Sequence, residues 1–161
     1  MAGSFPVGHM GGWPSGRYHK AHFHGPGALL FGLQGKGYCL LWPHEFGLHP
    51  YQDGHADQVA MVEWGPRSIY TPFGNAYHQH FNTSSVPARH VAIYSTGWSE
   101  RFEKRRLAVG EREDYEGLVS EREGGTLLDY EDEDPEVRRY FEEALKKEGA
   151  ESKMPPVTYR Q

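Results

Sequence analysis

Cysteine is all but missing from this chain. Cys39 is the only one, so no intrachain disulfide can staple the fold, and the composition suits a reducing compartment, taken here as the cytoplasm. A lone cysteine in an apolar run reads first as a small buried side chain, not as a reactive thiol. Long apolar runs are missing as well. No stretch approaches the roughly 20 residues that span a bilayer, and residues 1–10 lack a charged start followed by an apolar run. Neither a membrane span nor a signal peptide is expected. Basic tracts are absent and the net charge is −5, which argues against nucleic acid as a partner. Apolar residues are in modest supply at 37%, whereas 20 Gly, 11 Pro and 14% aromatics are generous for 161 residues. That is the composition of a turn-rich β protein with one core. No internal repeat is present.

The order of the chain agrees. Residues 1–15 are rich in Gly and Pro and read as an N-terminal arm. Strand-like runs follow at 28–33, 38–42, 59–64, 68–71, 76–81 and 90–94, separated by turn residues. The first two are split by Gln34-Gly35-Lys36-Gly37, a hairpin-like break. A polar loop over 43–57 holds His44, His49 and His55. Strands at this spacing predict a sandwich or barrel, placed at 16–98. After Trp98 comes a charged extension, 99–161. Its first part, 100–123, is charge-dense with weak helical character. The acidic run 129–134 reads as helix-start and solvent-facing charge, in preference to a metal site. Asp134 is a good N-cap and Pro135 suits the first helical position. Val137, Phe141, Ala144 and Leu145 recur at helical spacing, Lys146 and Lys147 fall in the last turn, and Gly149 can end it. The pattern predicts a helix over 135–148 whose apolar stripe packs on the sheet or on a partner subunit.

Two short histidine clusters carry the chemistry. His22 and His24 are two residues apart, and in an extended strand such residues share a face. Tyr77-His78-Gln79-His80-Phe81-Asn82 follows Pro72-Phe73-Gly74. A histidine from this second strand can complete a metal site with the first pair, and a divalent ion lets a small protein polarise a substrate or activate water. His78 and His80 share a face, so either can reach the ion. His19, three residues before His22, faces away in a regular strand. His44, His49, His55 and His90 read as surface or loop residues.

These residues resemble a known superfamily. Gly16, His22, His24 and Gly35 look like the first motif of the cupins, and Gly65, Pro72, Gly74, His78 and Asn82 like the second, with one extra residue between Gly65 and Pro72 and one between Gly74 and His78. The resemblance covers about 16–94. It implies an all-β fold, a small antiparallel jelly-roll barrel with a metal near its centre, here carrying a C-terminal helical extension. It also implies His22, His24 and His78 as metal ligands. One departure stands out. The position that many cupins fill with a ligating glutamate is Ala28, which cannot bind metal. Three neutral imidazoles leave the full +2 charge of a divalent ion uncompensated, so the site should favour an anionic ligand and keep positions open for substrate, water or O₂.

The resulting expectation is a metal-dependent enzyme using Fe(II), with Zn, Mn or Ni as alternatives. The leading activity is an oxygenase or dioxygenase acting on a small anionic or enolisable substrate, since three-histidine cupins include dioxygenases; this is analogy at superfamily level. His80 is the candidate proton acceptor, or else a fourth ligand. A non-oxidative lyase, isomerase or decarboxylase is the second reading, and a non-enzymatic ligand-binding cupin the third. The partners expected are a small-molecule substrate and a second copy of the chain in a homodimer; neither nucleic acid nor membrane is expected.

Overall fold

The structure, a computed structural model, describes residues 5–24, 27–96 and 119–160. Its regular elements are β1 (Phe5–Trp13), β2 (Leu29–Gln34), β3 (Gly37–Pro43), β4 (Ala60–Trp64), β5 (Ile69–Tyr70), β6 (Ala76–Asn82), β7 (Ala88–Thr96) and one α-helix, α1 (Pro135–Lys147). All strand pairs are antiparallel. They build two sheets, ordered β1-β7-β2-β5 and β4-β3-β6. Each strand-like run of the sequence lies within two residues of an observed strand.

Two expectations change. Residues 5–13 are not an arm. They form β1, paired with β7 from Phe5↔Thr96 to Trp13↔Ala88. The glycines that suggested a loop serve close packing instead: a Cβ on Gly12 would lie 2.8 Å from the Ala88 carbonyl oxygen, and one on Gly11 2.5 Å from His90 Nε2. Residues 34–37 are not a hairpin turn. β2 pairs with β5 and β7 while β3 pairs with β4 and β6, so this segment carries the chain from one sheet to the other, through Gly35 at φ +77°. A left-handed φ is cheap only for glycine. The expected antiparallel β fold with a C-terminal helix is present: the two sheets face each other, and among the described residues they do not close into one continuous barrel.

Alternation sorts the side chains into two cores. Between the sheets, Trp13, Leu30, Tyr70 and Ala92 of the first meet Cys39 and Trp64 of the second. Cys39 is fully buried, and burial pushes its thiol up to about 12, as the bland reading of a lone cysteine requires. On the far side of the second sheet, Tyr38, Trp42 and Phe81 pack against Val137, Phe141 and Leu145. Those three sit four apart, on one face of α1. Both faces of β6 are therefore covered, which is why all seven of its residues are buried.

The start of α1 also binds it to the sheet. Asp134 accepts from the Glu136 amide (3.0 Å) as N-cap and from the Tyr51 and Gln52 amides (2.9 and 3.0 Å). The acidic run is not solvent-facing: Asp132, Glu133 and Asp134 are buried. Asp132 pairs with Arg122 and Arg160, and Asp129 with Lys20 at 2.5 Å. Glu133 accepts from the Tyr18 hydroxyl and Gln79 Nε2, each at 2.6 Å. Asp129, Glu133 and Asp134 thus tie the extension to the β domain, whereas Asp132 pairs within the extension. Most of the charge-dense stretch 100–123 lies outside the described residues. No described helix is long and apolar enough to cross a membrane.

Candidate metal centre

The first histidine pair is held by β6. Residues 17–24 run along its free edge: the His19 amide donates to the His80 carbonyl (3.0 Å), and His22 and His78 exchange both backbone bonds, at 3.2 and 2.9 Å. Tyr18 pairs with Phe81 and His22 with His78. Four steps on one strand thus oppose three on the other, which is a β-bulge. Tyr18 and Ala21 face the α1 side, and the extra residue brings His19 as well as His22 to the inner side.

There His22, His24 and His78 converge. Their ligand nitrogens all lie within 4.8 Å of one another. The His78 ring is 4.3 Å from that of His22 and 4.8 Å from that of His24, centre to centre. Two of the rings are oriented from behind. His22 Nδ1 is 3.3 Å from the Lys20 carbonyl and His78 Nδ1 3.1 Å from the Ala76 carbonyl. A carbonyl can only accept, so Nδ1 carries the proton and the Nε2 lone pair is left for a ligand. Burial, chiefly, and the neighbouring histidines lower His22 to about 4 and put His78 well below the ordinary range. Both imidazoles are therefore neutral at pH 7, the state a metal ligand needs. Three converging, neutral nitrogen donors fit a divalent transition metal; among the described residues no carboxylate joins the group. Ala28 is buried in the layer between the sheets.

His80 stands outside this trio. Its ring is 5.7 Å from that of His78, and its Nδ1 is 3.1 Å from the Tyr70 hydroxyl. Burial and then His78, His90 and His19 push it well below the ordinary range, so it is neutral.

Two further expectations fail. His19 does not face away: the bulge turns it inward, with its ring 4.5 Å from Trp13 and 6.5 Å from His80. His90 is not a surface residue. It lies inside, 5.1 Å from Trp13 and 5.5 Å from His80, with Nδ1 unbonded. It fits there because its partner on β1 is Gly11. Tyr70, Trp13 and His90 were absent from the sequence-based site because each depends on strand pairings that local pattern does not reveal. His44 is exposed, and His55 stacks on Phe46 at 4.2 Å, as loop residues do.

The motif's other positions are structural. Gly16 has φ +72° and packs beneath Glu151. Buried Asn82 donates to the Pro14 and Val86 carbonyls and accepts from Ser84, which shapes the turn into β7.

The described residues thus form two antiparallel sheets, with a group of three histidines on the inner side of β6 and the segment along its edge. No protein-family model matches the sequence, and no curated protein matches it. Solved structures similar to the chain include an uncharacterized conserved protein with a double-stranded beta-helix domain from Klebsiella pneumoniae (12% identical, TM-score 0.45, covering 61% of this chain and 73% of that one). A cupin 2 conserved barrel domain protein from Rhodopseudomonas palustris is another (9%, TM-score 0.41, 57% and 52%). A third is recombinant oxalate oxidase in complex with glycolate (12%, TM-score 0.44, 55% and 41%). The match thus spans less than half of the oxidase. Likenesses this distant carry no functional argument, which rests on the chain's own residues.

Proposed function

We propose that this protein is a metal-dependent enzyme in which His22, His24 and His78 hold one divalent ion, Fe(II) in the leading reading, for an oxygenase or dioxygenase reaction on a small anionic or enolisable substrate. The observation that carries this is the trio itself: three nitrogens within 4.8 Å and no carboxylate among them. Bound there, the ion would supply Lewis acidity and, as iron, access to O₂ chemistry. Everything else falls to the protein. The neutral imidazoles leave a net positive site that attracts an anion. Trp13, Trp64 and Tyr70 line the layer between the sheets and exclude water. His80 is the proton acceptor: it is neutral, as an acceptor must be, and the Tyr70 hydroxyl fixes its ring through Nδ1. Because its basicity is low, it accepts a proton only while a bound anion is near to stabilise the imidazolium.

The same three donors suit zinc, manganese or nickel in a lyase, isomerase or decarboxylase that uses no O₂, and a ligand-binding protein without turnover is the remaining alternative. Metal analysis of protein purified without chelators or an immobilised-metal column, followed by O₂-uptake screening of small thiols, diketones and carboxylates, separates the three. Iron near one per chain with substrate-dependent O₂ uptake supports the proposal. Turnover without O₂ uptake moves it to the second reading, and protein that takes up no metal removes it.

A further inference from the structure

Three buried polar atoms inside the protein have no hydrogen-bond partner among the described residues: Trp13 Nε1, Trp64 Nε1 and His90 Nδ1. Each of these residues is only 4% exposed, and their rings meet. Trp13 is the hub, edge-on to Trp64 at 5.7 Å and to His90 at 5.1 Å, centre to centre. Its ring also lies 5.9 Å from that of His80, which is itself 5.7 Å from that of His78. His80 thus stands between the histidine trio and a second polar group. A buried donor left unmade costs free energy, and folds keep few of them. Here three such atoms gather around one ring, where phenylalanine would fill the layer without that cost.

The chemistry of these atoms narrows what can complete them. An indole nitrogen only donates, and a neutral imidazole nitrogen donates or accepts according to its tautomer. Burial, then His19 and His9, lower His90 to about 4, so it adds no charge at pH 7. Among the described residues no Lys or Arg is buried. A carboxylate placed here would leave its charge buried with neutral donors alone, which is costly. An uncharged oxygen acceptor suits the group better. We propose that Trp13, Trp64 and His90 form a second recognition site, which takes a carbonyl group of the substrate while the anionic group of the same molecule binds the ion at His22, His24 and His78. This second site, which rests on the metal-dependent reading above, narrows the substrate class to a keto, ester or amide acid long enough to reach past His80.

The test is calorimetric titration of zinc-loaded protein with straight-chain keto acids of increasing length, the carbonyl next to the terminal methyl, each against the alkanoate of the same length. At the length that fits, the keto acid should bind about tenfold tighter, as one good hydrogen bond gives. Trp13→Phe, Trp64→Phe and His90→Phe should each bring that ratio toward one and leave zinc affinity unchanged. In heteronuclear NMR spectra, the indole N–H signals of Trp13 and Trp64, assigned through the two tryptophan variants, should shift with the keto acid and stay in place with the alkanoate. Trp42, whose indole donates to the Gly47 carbonyl at 3.0 Å, should move with neither. Cyclopentanone, a carbonyl without an anionic group, should shift the same two signals in metal-free protein. Protein that binds no zinc would remove the metal reading, and the cyclopentanone titration alone would then uphold the second site by a shift or overturn it by silence. In zinc-loaded protein, equal affinities at every length, a ratio that survives all three substitutions, or two indole signals that shift as far with the alkanoate would each overturn the proposal.

Discussion

β6 presents two faces, and they do different work. Its inner face carries His78, His80 and Asn82. Its outer face carries Tyr77, Gln79 and Phe81, packed against α1 and its surroundings. Inside, polar rings are gathered and held by backbone carbonyls, so a change there should alter chemistry and spare the fold. Outside, Phe81 is fully buried among Tyr18, Tyr38 and Phe141, with ring centres 4.5–5.7 Å away. A change there should alter stability and spare the chemistry. Period-two alternation is what allows seven residues to do both.

The sharpest way to break this division is to remove one side chain from each face. His78→Ala should weaken metal binding by more than about 100-fold, beyond what loss of a supporting contact costs, while circular dichroism stays native; calorimetric titration with zinc measures it. Phe81→Ala should destabilise the protein by about 3–5 kcal/mol in denaturant unfolding, with metal stoichiometry unchanged in whatever fraction stays folded. If Phe81→Ala lost metal as completely as His78→Ala, the two faces would not be separable.

Glu133 sharpens the comparison through pH. Burial raises its carboxyl to about 7 from an ordinary 4.5, against the opposing hydrogen bonds of Tyr18 and Gln79 and the charge of Arg138. A carboxyl with a raised folded pKa contributes stability that is full below the unfolded pKa and is lost as pH climbs through the folded one. Stability should therefore fall by on the order of 3 kcal/mol between about pH 4.5 and 7. Glu133→Gln should flatten that slope, as denaturant midpoints measured across the range would show, and leave zinc affinity at a fixed pH unchanged.

The smallest expected effect returns to the inner layer. Ala28→Glu would place a carboxylate where the cupin resemblance puts a ligand. It should lower affinity for an anionic substrate analogue by roughly tenfold, about 1.4 kcal/mol, through partial neutralisation of the metal charge, and calorimetry on metal-loaded protein reads it. Unchanged affinity combined with a large loss of stability would mean that the new carboxylate is buried away from the ion.

Much of this was legible in the sequence, for identifiable reasons. The helix was readable because Asp134, Pro135 and the 137/141/145 stripe are local signals. The convergence of His22 and His24 with His78 was readable because two-residue spacing fixes a shared face. β1 was not, because Gly8, Gly11 and Gly12 look like loop residues until the close approach of β7 is known. His90 depends on Gly11 opposite it, and His19 on a bulge seen only when residues 17–24 are laid against β6. The buried carboxylates 132–134 depend on Arg122, Arg160, Tyr18 and Gln79, all distant or unpatterned in sequence. Local pattern finds faces; it does not find partners.

The central claim is that His22, His24 and His78, and not His80, hold the ion. X-ray absorption spectroscopy on zinc-loaded protein tests it most directly. Wild type and His80→Ala should both show three imidazole nitrogens at about 2.0–2.2 Å, and His78→Ala should lose that shell. A fourth imidazole in wild type that disappears in His80→Ala, or a His78→Ala spectrum identical to wild type, would contradict the account.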